Sequence, residues 1–462
     1  MCKEKSARLV RSFALAAVAW CSAQFALAAL PIQQWSHASG AKVYFVESHA
    51  IPMVDVQLDF DAGGRRDPAD KAGLASVTAS LTARGIVARA ARPGVPDRAA
   101  GIYDQALDEN QLSEAWADLG ARFGGGASSD RMSFSMRSLS YPDLLPKSLE
   151  LAARQLGDPA FPEAIWQRDK ARLAASIREA NTRPPTIANR AFAAAVFGSH
   201  PYGYEPTEAS VARITVQDMR EIHRRYIAAC RAKVSIVGDV TRAQADSLVS
   251  ALVSRLPQGT SDCAALPAVP DVQPLTAPVA RAIPFASAQA HVLIGQPGYK
   301  RADPDYFALT VGNYILGGGG FVSRLTTEVR EKRGLSYSVH SYFAPALHEG
   351  AFTLGLQTRP DQAAQAVQVS RDVLAKFVAE GPTAAELQAA KDNLIGGFAL
   401  RLDSNAKLLD QVSNIAWNNL PLDYLDTWTA QVEKITANDI KAAFARKLQP
   451  ERMVTVVVGG QV

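Results

Sequence analysis

Ile214-Thr215-Val216-Gln217-Asp218-Met219 opens a pattern with helical spacing that runs to Tyr226, and Val234-Ser235-Ile236-Val237-Gly238-Asp239-Val240 follows it as an apolar strand closed by glycine. The same order returns later in the chain. Ile435-Thr436-Ala437-Asn438-Asp439-Ile440 opens a helix, and Val454-Thr455-Val456-Val457-Val458-Gly459 supplies the strand. The two Ile-Thr pairs stand 221 residues apart, and so do Gly238 and Gly459. In each copy a threonine hydroxyl can cap free backbone N–H groups, with an aspartate three residues on at the positive helix end. A constant offset across two kinds of element predicts a duplicated domain, each half of about 210–220 residues.

Working outward, the join between the copies is visible. Residues 257–280 carry Pro257, Pro267, Pro270, Pro274 and Pro278, which predicts an extended, partly stiff linker between domains at 29–256 and 281–462. The first half opens with strands. Residues 42–47 form one, and Val54, Val56, Leu58 and Phe60 alternate with Asp55, Gln57 and Asp59 as a half-buried second. Asp61-Ala62-Gly63-Gly64 turns the chain, and a helix from Gly73 places Leu74, Val77 and Leu81 at helical spacing. Alanine-rich helical patterns follow near 111–122, 143–155 and 163–180. The mixture predicts an α+β fold with antiparallel sheets packed with helices; a doubly wound α/β fold is the alternative.

The first 28 residues stand apart from this frame. Lys3, Lys5, Arg8 and Arg11 precede a nearly uncharged stretch that ends in Ala26-Leu27-Ala28. This predicts a secretory signal peptide at 1–28, with an N-terminal anchor as the alternative. Trp20 before Cys21 speaks against a lipoprotein anchor. The expected setting is outside the cytoplasm, periplasmic for a Gram-negative source, with no stable membrane span after processing. Without the leader the chain has 45 basic and 44 acidic residues, so no basic nucleic-acid surface is expected. Cys230 and Cys263 remain, and their spacing leaves open whether they pair.

Four glycines, Gly317-Gly318-Gly319-Gly320, precede a charged helical stretch that ends in Gly334-Leu335-Ser336-Tyr337. A phosphate loop needs Lys after the glycines, and none stands at that spacing. A dinucleotide turn needs a third glycine at 322 or 323, where Val322 and Ser323 stand. The pattern instead predicts a glycine loop, a helix with Val322, Leu325 and Val329 on its apolar face, and a strand with Leu335, Tyr337, Val339, Ser341 and Phe343 alternating. By pattern alone Arg330 complements the helix C-terminus and Tyr337 packs at a sheet edge. The seven histidines, His37, His49, His200, His223, His291, His340 and His348, show no helical metal-ligand spacing.

These motifs resemble those of the insulinase-like zinc peptidases, which include mitochondrial processing peptidase and pitrilysin. Leu316-Gly317-Gly318, Ser323-Arg324-Leu325, Arg330-Glu331-Lys332, Gly334-Leu335 and Tyr337-Ser338 look like the family's C-domain signature. Gly64-Arg65-Arg66-Asp67, Gly73-Leu74-Ala75, His200-Pro201-Tyr202-Gly203 and Val237-Gly238-Asp239-Val240 look like its earlier landmarks. The resemblance implies two homologous α+β domains in a clamshell arrangement. Active members follow Gly-Leu-Ala with His-x-x-Glu-His, two zinc ligands and a general base on one helix face. Here those places hold Ser76, Ala79 and Ser80, so no metal is expected in this chain; a distant acidic ligand would fall near Asp169.

The resemblance also implies that Arg330 and Tyr337, seven apart, contact a substrate carbonyl across the cleft from a zinc site. The expected role is a non-metal-binding subunit of a heteromeric zinc peptidase. A zinc-bearing homologous partner would complete the site, and unfolded peptides would be the substrates. An inactive peptide-binding or scaffold protein of the same fold is the alternative. A self-sufficient metallopeptidase is disfavoured by the replaced metal positions.

Overall fold

The computed structural model describes residues 31–88, 105–257 and 263–461; the expected leader and the loop at 91–101 lie outside the described residues. In chain order the first half contributes strands β1 (Gln33–Ser36), β2 (Lys42–Glu47), β3 (Met53–Phe60), β4 (Gly85–Ile86), β5 (Leu107–Asp108), β6 (Arg122–Ala127), β7 (Met132–Leu139) and β8 (Lys233–Gly238). The second half contributes β9 (Val279–Ile283), β10 (Ala290–Pro297), β11 (Val339–Phe343), β12 (Ala351–Thr358) and β13 (Val454–Val458). The sheet orders are β1-β2-β8-β3-β7-β6 and β11-β12-β10-β13-β9, while β4 and β5 pair separately.

The two large sheets share one connectivity. Strands β2-β8-β3-β7-β6 correspond to β9-β13-β10-β12-β11. In both, the strand after the capped helix has one parallel neighbour, β2 or β9, and one antiparallel neighbour, β3 or β10. The repeat read in the sequence is therefore a repeat of architecture, with β1 added to the first sheet. Both caps form as well. Thr215 accepts from Asp218 N–H at 3.2 Å, and Thr436 from Asp439 N–H at 3.1 Å. Gly238 and Gly459 end their strands with φ of 150° and 81°. At Gly238 a Cβ would stand 2.3 Å from the Met53 carbonyl, so the close crossing needs glycine.

The halves exchange helices. Helix Asn405–Asn418 of the second half lies on β3 and β8 of the first sheet, and helix Pro184–Phe197 of the first half lies on β10 and β13 of the second. Phe192 and Val196 pack there against Val454, Val456 and Val458. This exchange corrects the reading of β3 as half-buried. Its polar side, Asp55 and Asp59, is buried too. Asp59 is compensated by Arg131 Nη1 at 3.0 Å and by the hydroxyls of Ser133 at 2.5 Å and Ser413 at 2.9 Å. Lys233 Nζ donates to the Ala416 and Trp417 carbonyls at 2.8 and 2.9 Å, closing the C-terminus of the exchanged helix.

Residues 265–278, ahead of β9, form no helix or strand, but this connection is held. Val272 is buried, and His200 Nε2 bonds the Pro270 carbonyl at 2.9 Å. Cys230 and Cys263 form a disulfide with Cα atoms 5.9 Å apart, which ties the approach to β8 to this connection. Among the described residues no helix is long and apolar enough to cross a membrane.

Candidate functional site

The glycine run does not form an open loop. After helix Tyr306–Asn313 the backbone widens into a π-helical turn, Tyr314–Gly318, and then a 3-10 turn, Gly320–Val322. The glycines allow this turn to press on β11, the edge of its sheet. A Cβ on Gly317 would stand 2.6 Å from Ser341 N, and one on Gly318 would stand 2.8 Å from the Asn313 amide nitrogen. Asn313 also bonds Ser341 through both its carbonyl side-chain oxygen, at 2.8 Å, and its amide, at 3.1 Å. The edge of β11 is thereby covered.

A second π-helical turn, Thr326–Glu331, carries Arg330. Leu325 and Val329 face the core as expected, but Val322 is 73% exposed, because it belongs to the preceding 3-10 turn and not to the helix. Gly334, with φ of 61°, stops the turn, its N–H bonded to the Arg330 carbonyl at 2.8 Å. Strand pairing begins only at Val339, later than the alternation from Leu335 implied. Tyr337 lies ahead of it and is 83% exposed, so it does not pack at the sheet edge.

Arg330 and Tyr337 do come together. The guanidinium carbon stands 4.7 Å from the Tyr337 ring centroid and 4.8 Å from that of Phe321, itself 72% exposed. The cation contacts both aromatic rings, and among the described residues no carboxylate pairs with it. All three residues line a cavity of about 590 Å³ that also includes Gly320, Ser338, His340 and Tyr342. The ring contacts leave the guanidinium N–H groups available as donors, and the phenol adds an O–H. This arrangement suits directed donation to a carbonyl oxygen.

The place of the zinc motif is different. Gly73, with φ of 100°, precedes helix Leu74–Leu81. The carboxylate of Asp67 accepts from the N–H groups of Gly73 and Ala75, each at 2.9 Å; burial nevertheless pushes its pKa up to about 7. Ser76 and Ser80 are exposed on this helix, and Ala79 is buried. Two hydroxyls and a methyl group do not fit zinc, which takes imidazole, thiolate or carboxylate. Asp169 lies beside Arg168 at 2.9 Å and Arg84 at 3.4 Å, and both arginines also pair with Glu109. It is not a lone surface charge but part of a compensated network, a poor source of a free metal ligand. Among the described residues no group of three or more His, Cys, Asp or Glu is placed to hold a metal.

This geometry agrees with what the chain is similar to. A profile described as "Peptidase M16 inactive domain" matches residues 213–394, which include Arg330 and Tyr337. A solved structure described as a peptidase M16 inactive domain from Pseudomonas fluorescens is 34% identical, with a TM-score of 0.85, over 94% of this chain and 99% of that one. The chain belongs to the M16 family of insulinase-like peptidases. M16 relatives carry two kinds of name. An uncharacterized zinc protease of Streptomyces coelicolor is 28% identical over 68% of this chain and 69% of its own length. A protein of Helicobacter pylori described as a non-peptidase homolog is 23% identical over 86% of this chain and 87% of its own.

Two parts of this candidate site are not marked by the sequence motifs. Phe321 was passed over as the residue after a glycine run, although an aromatic side chain on an exposed turn nine residues before Arg330 was a usable signal. His340 and Tyr342 stand on the other side of the alternation from Val339 and Ser341, the side that the core pattern does not mark.

Proposed function

We propose that this chain is the non-metal-binding subunit of a heteromeric M16 peptidase, contributing Arg330, Tyr337 and half of a peptide chamber to a homologous partner that carries zinc. The observation that supports it is one of contrast: an uncompensated cation in contact with two exposed rings, in a chain whose metal positions hold Ser76, Ala79 and Ser80. An arginine paired with no carboxylate keeps its full charge and its N–H donors available to a ligand entering the cavity. In this reading the guanidinium edge and the phenol donate to the peptide carbonyl as its oxygen gains charge. The partner supplies zinc and the activated water. The basic-then-apolar leader and the disulfide support an exported setting, periplasmic for a Gram-negative source.

The test is reconstitution. The purified chain is mixed with a homologous M16 chain bearing an intact His-x-x-Glu-His motif, and zinc and cleavage of an unfolded peptide are measured for each chain and for the mixture. The reading predicts that this chain alone retains no stoichiometric zinc and cleaves nothing, and that the mixture cleaves faster than the partner alone. Stoichiometric zinc and cleavage by this chain alone would contradict it. Stable assembly without added cleavage would favour a scaffold.

A further inference from the structure

The cavity around Arg330 does not end at β11. A second cavity, of about 270 Å³, lies over the open part of the second sheet and shares Ser338, His340 and Tyr342 with the first. Its other walls include His291, Thr353 and Gln357, and the N-terminal part of helix Pro184–Phe197 contributes Asn189. Strand register explains the continuity. His340 faces Gly355 across β11 and β12, and Gly355 faces Leu293 across β12 and β10. Gly355 has no side chain to block the passage, and a Cβ there would stand 3.0 Å from the His340 ring. Tyr342 stacks beside His340 with ring centroids 6.0 Å apart. The exchanged helix covers β10 and β13 but leaves β11 and the adjoining part of β12 open, so the two cavities form one trough.

The charges along this trough are one-sided. No Asp, Glu or Lys is among the residues lining either cavity, and Arg330 is their only arginine. The remaining polar groups are hydroxyls, amides and the imidazoles of His291 and His340, both kept below their ordinary pKa by burial. A peptide carboxylate entering the trough meets a fixed positive charge and neutral donors, while a lysine or arginine side chain meets no compensating anion.

We propose that this trough is an extended peptide subsite that selects for acidic and against basic side chains in the substrate segment running from the Arg330 clamp over His340. The inference rests on the shared-site reading for its occupant, a peptide, and adds the class of sequence that fits. Arg330 still donates to the backbone; its charge acts along the trough without direct pairing. At about 10 Å and an effective dielectric near 20, one unit charge shifts affinity by roughly tenfold, less at high salt.

The test uses the full chain and fluorescent peptides of about ten residues, built from Gly, Ser and Ala, with one Asp, Asn or Lys moved along them. Affinity is read by anisotropy at low salt. The expected ranking at one or more positions is Asp over Asn over Lys, with about tenfold per step and roughly a hundredfold between the extremes. Arg330→Lys, which keeps the charge, should preserve the ranking; Arg330→Gln should flatten it, and His340→Glu, whose carboxylate opposes the Arg330 charge, should shrink it. Equal affinities, no binding, or a ranking untouched by Arg330→Gln and His340→Glu would overturn the proposal. Cleavage with the zinc-bearing partner separates the two readings. Full stimulation without charge ranking removes the trough alone, whereas ranked binding without stimulation removes the shared site and leaves the trough.

Discussion

Cation–π contact with a ring does not use guanidinium N–H groups, so Phe321 and Tyr337, with centroids 4.8 and 4.7 Å from the Arg330 guanidinium carbon, position Arg330 without consuming its donors. The two contacts do different work, and substitutions separate them. Phe321→Ala removes one ring contact and leaves every donor in place. An exposed cation–π contact contributes about 1 kcal/mol, so turnover of the reconstituted complex should fall roughly fivefold. Tyr337→Phe keeps the ring contact and removes the hydroxyl, and losing a donor to a developing charge costs about 3 kcal/mol, roughly a hundredfold. Steady-state kinetics of the two variants should show this order; equal, small effects would remove the donor role from Tyr337. Arg330 and Tyr337 were legible in the sequence because the resemblance fixes their spacing. Phe321 was not, since its value lies in a contact made only when the 3-10 turn at Gly320–Val322 and the π-helical turn at Thr326–Glu331 bring residues 321 and 330 together.

The two π-helical turns are held from both sides, which makes the element scale testable. The first leans on β11 through Gly317. Gly317→Ala would drive a Cβ into the Ser341 backbone, with a cost of about 2 kcal/mol and a displaced Phe321. Chemical denaturation should show the loss; unchanged stability would mean the turn does not depend on close approach. The second turn is anchored by Arg324, whose Nε and Nη2 lie 2.6 and 2.7 Å from the two oxygens of Glu386. Partial burial raises the Glu386 pKa, but Arg324 and the Thr383 N–H outweigh it and bring it down to about 2. A depressed carboxylate stabilises the fold above its unfolded value of 4.5 and loses that contribution as pH falls from there toward 2. The melting temperature should therefore drop over this window, and Glu386→Gln should flatten that part of the profile. An identical acid limb in the variant would assign the loss to other groups. Periodicity could not find these turns, because a π-helical turn breaks the 3.6-residue spacing on which the reading depends. Val322 faces solvent for a different reason, its place in the 3-10 turn Gly320–Val322, and the alternation from Leu335 to Ser338 lies in chain without a paired strand.

For the whole molecule, the duplicated domain was readable because two capped helix-and-strand units repeat at one offset. The exchange of helices was not. Helices Pro184–Phe197 and Asn405–Asn418 carry ordinary amphipathic patterns, and no local feature says which sheet each covers. The exchange has a thermodynamic consequence: neither sheet is fully covered by its own half. Phe192, packed over Gly295 of the second sheet, belongs to the first half. Phe192→Ala should cost about 3–4 kcal/mol and lower a single cooperative transition. Two separated transitions in calorimetry would show instead that the halves melt independently.

In the proposed function Arg330 serves a metal centre held by another M16 chain. The most direct measurement is kcat/KM for peptide cleavage by the reconstituted complex carrying Arg330→Ala, with zinc content and assembly measured on the same sample. The account predicts an intact complex, unchanged zinc in the partner and about a hundredfold loss of kcat/KM. Unchanged kcat/KM in an intact, zinc-loaded complex would contradict it.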